Sequence, residues 1–348
     1  VLIVDDFSRR VWPDARSVAT IGAYDGLHLG HRTVVDHVRS LAAESGSRSV
    51  IVTFDRHPAS LVRPESAPRL LTDQVQKIEL LADTGVDAVA LIRFDAAQAA
   101  ESPEDFVRRV LVGSLGVRAV VVGEDFHFGR GRAGNVELLR ALGAEHDFEV
   151  VPHELVTGGQ TVISSTAIRA AVAVGDVERA REWLGRPYEL RGIVANGDKR
   201  GRTIGFPTAN VEVPSAMCVP GDGVYAAWYV RDSGPYAGAV YPAAVNIGRR
   251  PTFYDDQPVS LVEAHVIENL AENVAENVAE NVVENVAENV VEKINVNVPT
   301  DHQPLEMYGE SARLRFVARL RGEQKFDGID ALKAQLALDI AAARRALN

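Results

Sequence analysis

The sequence predicts two units of different class. An α/β unit on a parallel sheet comes first, then an antiparallel β unit of barrel or sandwich type, and a helix closes the chain. Three observations carry this. The 348 residues exceed one average domain. In the first half, short β-branched runs alternate with helix-spaced patterns, the mark of βαβ units. From Tyr188 to Leu320, strand-like runs follow one another with turn residues between them.

The first-half strands are expected at Val18–Gly22, Ser49–Phe54, Ala88–Phe94, Ala119–Gly123 and Phe148–Pro152, each bounded by Gly, Asp or Pro. Helices are expected at Gly30–Glu44, Asp73–Thr84, Pro103–Val112 and Ala133–His146, with further helical pattern from Ile163 through Trp183. The second half offers strands at Leu190–Ala195, Gly223–Val230, Ala237–Asn246, Ser260–Ile267 and Ala312–Leu320, and an Ala- and Leu-rich helix at Ile329–Leu347. The boundary is expected near Gly185–Pro187, giving units 1–186 and 187–348.

Composition excludes several classes. A single cysteine, Cys218, rules out an intramolecular disulfide framework and a Cys-rich zinc site. No apolar run approaches 18 residues, so no membrane span is expected, and the acidic start of the chain does not resemble a signal peptide. The reading is therefore cytoplasmic. The formal charge of −11 argues against a nucleic-acid partner.

Two stretches carry the chemistry of the first unit. Gly22-Ala23-Tyr24-Asp25-Gly26-Leu27-His28-Leu29-Gly30-His31 follows an expected strand and opens a helix, where unpaired backbone N–H groups bind anions. Imidazoles there can donate to a pentavalent phosphate. Ser164-Ser165-Thr166, followed by Arg169, makes a second anion site at a helix start. Taken alone, either could be a turn or a cap with solvated side chains. Two further strand ends, Val52–Pro58 with His57 and Val122–Gly129 with Asp125 and Phe126, lie where a substrate would rest.

Together these segments resemble the nucleotidylyltransferase superfamily, and within it the FAD synthetase module of bacterial bifunctional riboflavin kinase/FAD synthetases. The second half resembles the kinase module of the same family. The segments concerned are Gly201–Asn210 with its Pro207-Thr208-Ala209-Asn210 signature, Gly223–Ala226, Asn246–Phe253, Val262-Glu263-Ala264-His265 and Leu320–Phe326. The resemblance implies a Rossmann-like α/β domain followed by an antiparallel β-barrel with a C-terminal helix. It implies phosphorylation of riboflavin to FMN, then adenylylation of FMN to FAD with release of pyrophosphate, with ATP as co-substrate and Mg²⁺ as cofactor.

The same resemblance implies residue roles. Glu263 is the base that takes the riboflavin 5′-hydroxyl proton, and Thr208 and Asn210 are metal ligands. His28, His31 and Arg169 are catalytic in adenylyl transfer. Gly22, Tyr24, Asp25, Gly26, Gly30, Ser164, Ser165, Thr166, Lys199, Gly201 and Gly205 bind nucleotide. His57, Asp125, Phe126, Arg321 and Glu323 border the flavin. Tyr24 and Arg56 depart from the family pattern, which has Phe and Pro there.

One segment does not fit. Six copies of Glu-Asn-(Val/Leu)-(Ala/Val) run from Glu268 to Val291, and residues 268–304 hold eight acids against one base. A period of four favours a helix with a drifting Val/Ala stripe. Six like-charged i,i+4 Glu pairs would weaken it by about 1–3 kcal/mol. Three readings follow: a neutral expansion in a surface hairpin, a helix for partner or self-association (a homo-oligomer among its outcomes), or interference with the kinase. The last would leave a monofunctional FMN adenylyltransferase. A non-enzymatic assembly protein is the remaining alternative.

Overall fold

The computed structural model describes residues 1–154, 156–159, 161–195, 206–250, 259–267 and 307–348. Contacts divide the chain into two compact units, Val1–Ile168 and Arg169–Asn348.

The first unit is a six-stranded parallel sheet. Its strands are β1 (Leu2–Val4), β2 (Ser17–Ile21), β3 (Arg48–Phe54), β4 (Ala88–Ile92), β5 (Val117–Gly123) and β6 (Glu149–His153), in spatial order β1-β4-β3-β2-β5-β6. All five expected strands are present within a few residues, and β1 is an addition on the β4 edge. The helices between them are α1 (Leu29–Glu44), α2 (Ala59–Val62), α3 (Gln74–Ala82), α4 (Ala96–Ala100), α5 (Pro103–Phe106) and α6 (Val136–His146). α5 runs on through a π-helical stretch, Val107–Leu115, which ends at Gly116 in a left-handed conformation. Its φ of 55° lies in the left-handed region that favours glycine.

Both faces of the sheet are covered, so its strands read as near-continuous apolar runs. One face packs Ala19, Val50, Val52, Val120 and Val122 against Phe106, Leu111 and Leu139. The other packs Ile51 and Val89 against Val35 and Leu81. The chain builds outward from β2 to β3 and β4, then returns to place β5 on the other side of β2. The carboxyl ends of β2 and β5 therefore flank the switch point, the usual crevice for a ligand in such sheets. A short hairpin, β7 (Thr157–Gly158) and β8 (Thr161–Val162), leads to α7 (Ser165–Ala173) and α8 (Val177–Leu184).

The second unit is a closed antiparallel barrel of β9 (Tyr188–Ala195), β10 (Ala209–Glu212), β11 (Gly223–Arg231), β12 (Val240–Arg250), β13 (Val259–Val266) and β14 (Ser311–Arg321), in the order β10-β13-β12-β11-β14-β9. This resolves the barrel-or-sandwich choice. Tyr188, Leu190, Tyr225, Tyr229, Leu314 and Phe316 are fully buried. α9 (Ile329–Leu347) covers part of the outside, packing Ala343 and Leu347 on Ala226, Ala244 and Ile267. The expected helix and the observed one coincide. Among the described residues, no helix is long and apolar enough to cross a membrane.

The repeat lies outside the described residues, but its flanks bear on one expectation. A hairpin joins neighbouring strands. β13 and β14, which precede and follow the repeat, sit three strands apart in either direction around the six-stranded ring. The strands that flank the repeat thus stand on opposite sides of the barrel, while the expected surface hairpin itself lies outside the described residues.

A buried ion pair fastens the end of β11 to the entry of β14. Arg231 is 1% exposed, and its Nε donates to Glu310 Oε2 at 2.8 Å while its other arm meets Oε1. Tyr236 stacks on the same guanidinium at 4.8 Å. Removing one partner strands a buried charge. Glu310→Ala should lower stability by about 3–5 kcal/mol in denaturant unfolding, whereas the apolar pair Arg231→Met with Glu310→Leu should recover most of the loss.

Candidate functional sites

The first site forms where β2 ends. Gly22 to His28 is a tight loop in which Tyr24 and Leu27 both take positive φ, at 50° and 36°. Such angles are costly for residues with a Cβ, so the surroundings must hold them. Leu27 is fully buried and Tyr24 nearly so, with its hydroxyl 2.7 Å from Thr20 Oγ1. Burial raises the Tyr24 phenol far above its ordinary pKa, so it stays neutral.

Asp25 is the clasp of this loop. Its buried carboxylate accepts from the backbone N–H of Leu71 and Thr72 at 3.0 Å and from the Thr72 hydroxyl at 3.1 Å. Thr72 also accepts from Gly26 N–H. The Asp25 carbonyl receives the Ser165 hydroxyl at 2.8 Å. Lys77 is buried close by and donates to the Phe54 carbonyl. Burial lowers its pKa, opposed by the charges of Asp25 and Asp55.

His28 is the N-cap of α1. Its Nδ1 accepts from the His31 N–H at 3.3 Å. An Nδ1 that accepts leaves the proton of the neutral ring on Nε2, so the cap fixes the tautomer. The His28 and His31 rings stack at 3.6 Å, and Tyr24 lies 4.9 Å from His31. A Cβ on Gly30 would come within 3.2 Å of His28 Nδ1 and 3.4 Å of the Ile163 carbonyl, so this glycine lets the loop meet the segment before α7. Ser164 caps α7 through Ala167 N–H at 3.2 Å. The starts of α1 and α7 thus come together, two helix N-termini whose partial positive charge favours an anion.

The remaining predicted residues of this unit divide. Gly22, Gly26 and Gly30 shape the loop, and Thr166 is exposed at the start of α7. The side chains of Asp25 and Tyr24 brace the loop: the Asp25 carboxylate is committed to residues 71–72, and the Tyr24 hydroxyl is buried on Thr20. Asp125 is exposed after β5, while Phe126 is half-buried and stacks on Phe128 at 5.4 Å. His57, after β3, accepts from Ala59 N–H at 3.2 Å through Nδ1. Arg169 lies on α7 four residues beyond Ser165, in the second unit by contacts.

The second site is a row across the barrel's outer face. In β13, Val262 and Ala264 are buried within the barrel, so Glu263 and His265 point out. In β10, Ala209 and Val211 point in and Asn210 points out. The registers pair Asn210 with Glu263 and Glu263 with Asn246. Asn246 lies between fully buried Val245 and Ile247 and is itself exposed. One polar row, Asn210–Glu263–Asn246, therefore crosses three strands. Thr208 stands at the entry to β10. None of these four side chains bonds to another described residue.

Two elements frame the row. His265 Nδ1 donates to the Pro207 carbonyl at 2.8 Å, and its ring meets Phe206 edge-on at 5.8 Å, which anchors the segment leading to Thr208. Glu323 comes 3.8 Å from the point where Gly248 would carry a Cβ. The Arg321 fork grips Asp339 of α9 at 2.9 and 2.7 Å. Lys199, Gly201 and Gly205 lie outside the described residues. The sequence reading quoted Asn246 inside a motif without giving it a role, because only the register places it beside Glu263.

Comparisons with known proteins agree with this geometry. The FAD synthetase family model matches residues 12–167 and the riboflavin kinase model residues 184–347. A protein of Bacillus subtilis (strain 168) named bifunctional riboflavin kinase/FMN adenylyltransferase is 33% identical over 93% of this chain and 90% of its own length. A protein of the same name from Escherichia coli (strain K12) is 32% identical over 95% and 93%. A crystal structure from Streptococcus pneumoniae, described as a macrolide-efflux protein, matches with a TM-score of 0.77 at 25% identity, covering 99% of this chain and 98% of that one. The chain belongs to the bifunctional riboflavin kinase/FMN adenylyltransferase family.

Proposed function

We infer that the chain makes both flavin cofactors: the barrel phosphorylates riboflavin to FMN with ATP, and the parallel-sheet unit transfers AMP from a second ATP to FMN. One observation carries this reading. Relatives bearing both activities in their name match the chain along nine-tenths of its length, across both modules in order. We take the functional modules as 1–186 and 187–348, the enzyme as cytoplasmic, and riboflavin, FMN and ATP as its substrates. The efflux description of the pneumococcal structure is not carried over, since the residues gathered at both sites suit phosphoryl and nucleotidyl transfer.

In the barrel, Glu263 accepts the proton of the riboflavin 5′-hydroxyl as that oxygen attacks the γ-phosphorus of ATP, and ADP leaves. Thr208 and Asn210 offer neutral oxygens beside this carboxylate, a hard donor set that fits Mg²⁺. Among the described residues no three His, Cys, Asp or Glu side chains form a metal cluster. When bound, Mg²⁺ would neutralise charge on the phosphates.

In the first unit, an FMN phosphate oxygen attacks the α-phosphorus of ATP and pyrophosphate leaves. The starts of α1 and α7 receive the negative charge, and His28 donates from Nε2. His31, stacked on His28, and Arg169 add further donors. The cap geometry separates fold from chemistry. Asn at position 28 can still cap α1, so His28→Asn should keep the thermal midpoint while slowing adenylyl transfer by at least ~10²-fold. FMN formation should be unaffected.

Glu263→Gln should have the opposite profile, abolishing FMN formation from riboflavin while FAD formation from added FMN continues. Chromatographic separation of FMN and FAD after separate incubations with riboflavin or with FMN, each with ATP and Mg²⁺, reads both. Loss of both activities in either variant would overturn the two-site assignment.

The repeat is best read as a neutral expansion. The last described residue before it, Ile267, lies four positions beyond Glu263, and strand geometry places it roughly 13 Å away. Deleting 268–304 should leave riboflavin turnover unchanged. A marked gain would favour interference with the kinase, and loss of self-association would favour an interface role.

A further inference from the structure

We propose that Asn246 is a substrate-binding residue of the kinase site, holding the ribityl hydroxyl next to the one that Glu263 deprotonates. This rests on the kinase reading above. It starts from the register: Asn246 is the direct cross-strand partner of Glu263, on the side away from Asn210. Directly opposed residues share one face of the sheet. Both neighbours of Asn246 along β12, Val245 and Ile247, are fully buried, so its side chain projects outward with that of Glu263.

Among the described residues Asn246 has no competing partner. It makes no hydrogen bond with another described residue. Elsewhere the outer face of β12 is occupied: Ala244, two positions earlier, lies under α9. Two positions later comes Gly248, so there the strand presents bare backbone, with Glu323 alone nearby among the described residues. Asn246 is thus the outward side chain of β12 between a covered residue and a glycine, beside the base.

Its chemistry suits a polyol. A primary amide both donates and accepts, as a hydroxyl does, and carries no charge to compete with Glu263 for its proton. Neighbouring strands lie about 4.8 Å apart. Vicinal hydroxyls are closer than this, so two side chains converging slightly from adjacent strands can each reach one of them. With the 5′-hydroxyl on Glu263, the adjacent 4′-hydroxyl falls to Asn246. Asn210, across Glu263, is left for the metal and phosphate side. The row then orders the reaction from sugar chain, through base, to phosphate.

The test compares riboflavin with 4′-deoxyriboflavin as phosphoryl acceptors. One neutral hydrogen bond at an exposed site corresponds to roughly 3- to 10-fold. The native protein should prefer riboflavin by about that factor in kcat/KM. Asn246→Ala should lose it on riboflavin alone, so that the two acceptors become equal. FAD formation from FMN by the same preparation, together with an unchanged circular dichroism spectrum, checks that the variant is folded. Should Ala disturb the strand, Asn246→Ser carries the same comparison. A variant that keeps the native preference overturns the assignment of Asn246 while leaving the kinase intact. A native protein that forms no FMN from riboflavin overturns the kinase reading and this inference with it.

Discussion

A buried carboxylate must be satisfied or it destabilises its surroundings, and in the first unit that requirement falls on Asp25. Its partners, Leu71 and Thr72, come from the segment before α3. Its own carbonyl takes the hydroxyl of Ser165 at the start of α7. Two stretches, about 46 and 140 residues further along the chain, are drawn to one short loop. The strained angles of Tyr24 and Leu27 are affordable because of this, and with them comes the cap of α1 by His28. The anion site follows from the loop, and the loop follows from Asp25.

The barrel reaches its site by a different constraint. No buried charge builds the row Asn210–Glu263–Asn246. Closure of the sheet does so, because a ring of six strands with apolar side chains inside fixes which residue faces which. A shift of one residue in β13 would turn Glu263 inward and Val262 or Ala264 outward. The core of Tyr225, Tyr229 and Phe316 therefore protects the chemistry at a distance, by making that slip costly. α9 and the Arg321–Asp339 clasp secure the flank of the same face.

Much of this was legible in the sequence. Runs such as Ser49–Phe54 and Ala119–Gly123 carry their own signal, since parallel strands buried on both faces are continuous and β-branched. Ile329–Leu347 announces itself by period alone. β1 was missed because three residues before a long irregular stretch make no pattern. β10 was read as a motif and not as a strand, since a Pro-Thr-Ala-Asn signature carries little β propensity and gains its pairing from β9 and β13. Motif order singled out His28 and Glu263 as candidates. It says nothing of which side chains also brace the fold, as those of Tyr24, Asp25 and Arg321 do. Asn246 needed register, and register is a property of the closed sheet.

The repeat shows how the two kinds of information combine. Its charge of −7 is most of the chain's −11, so the enzyme beneath is nearly neutral and its acidity says little about its substrates. Sequence distance puts the repeat five residues from Glu263, which suggests interference. The barrel changes that distance into a direction. β13 carries the chain away from the outward row, towards the end where Ile267 packs under α9 beside Ala343 and Leu347. There it is held by the Ile267 N–H bond to the Pro242 carbonyl. On the far side, Glu310 is gripped by Arg231 just before β14 begins. Both flanks are thus anchored by bonds that do not involve the repeat. Loop-closure entropy grows only with the logarithm of length. An expansion between two such anchors costs the barrel little, and the register that places Glu263 between two asparagines does not depend on it.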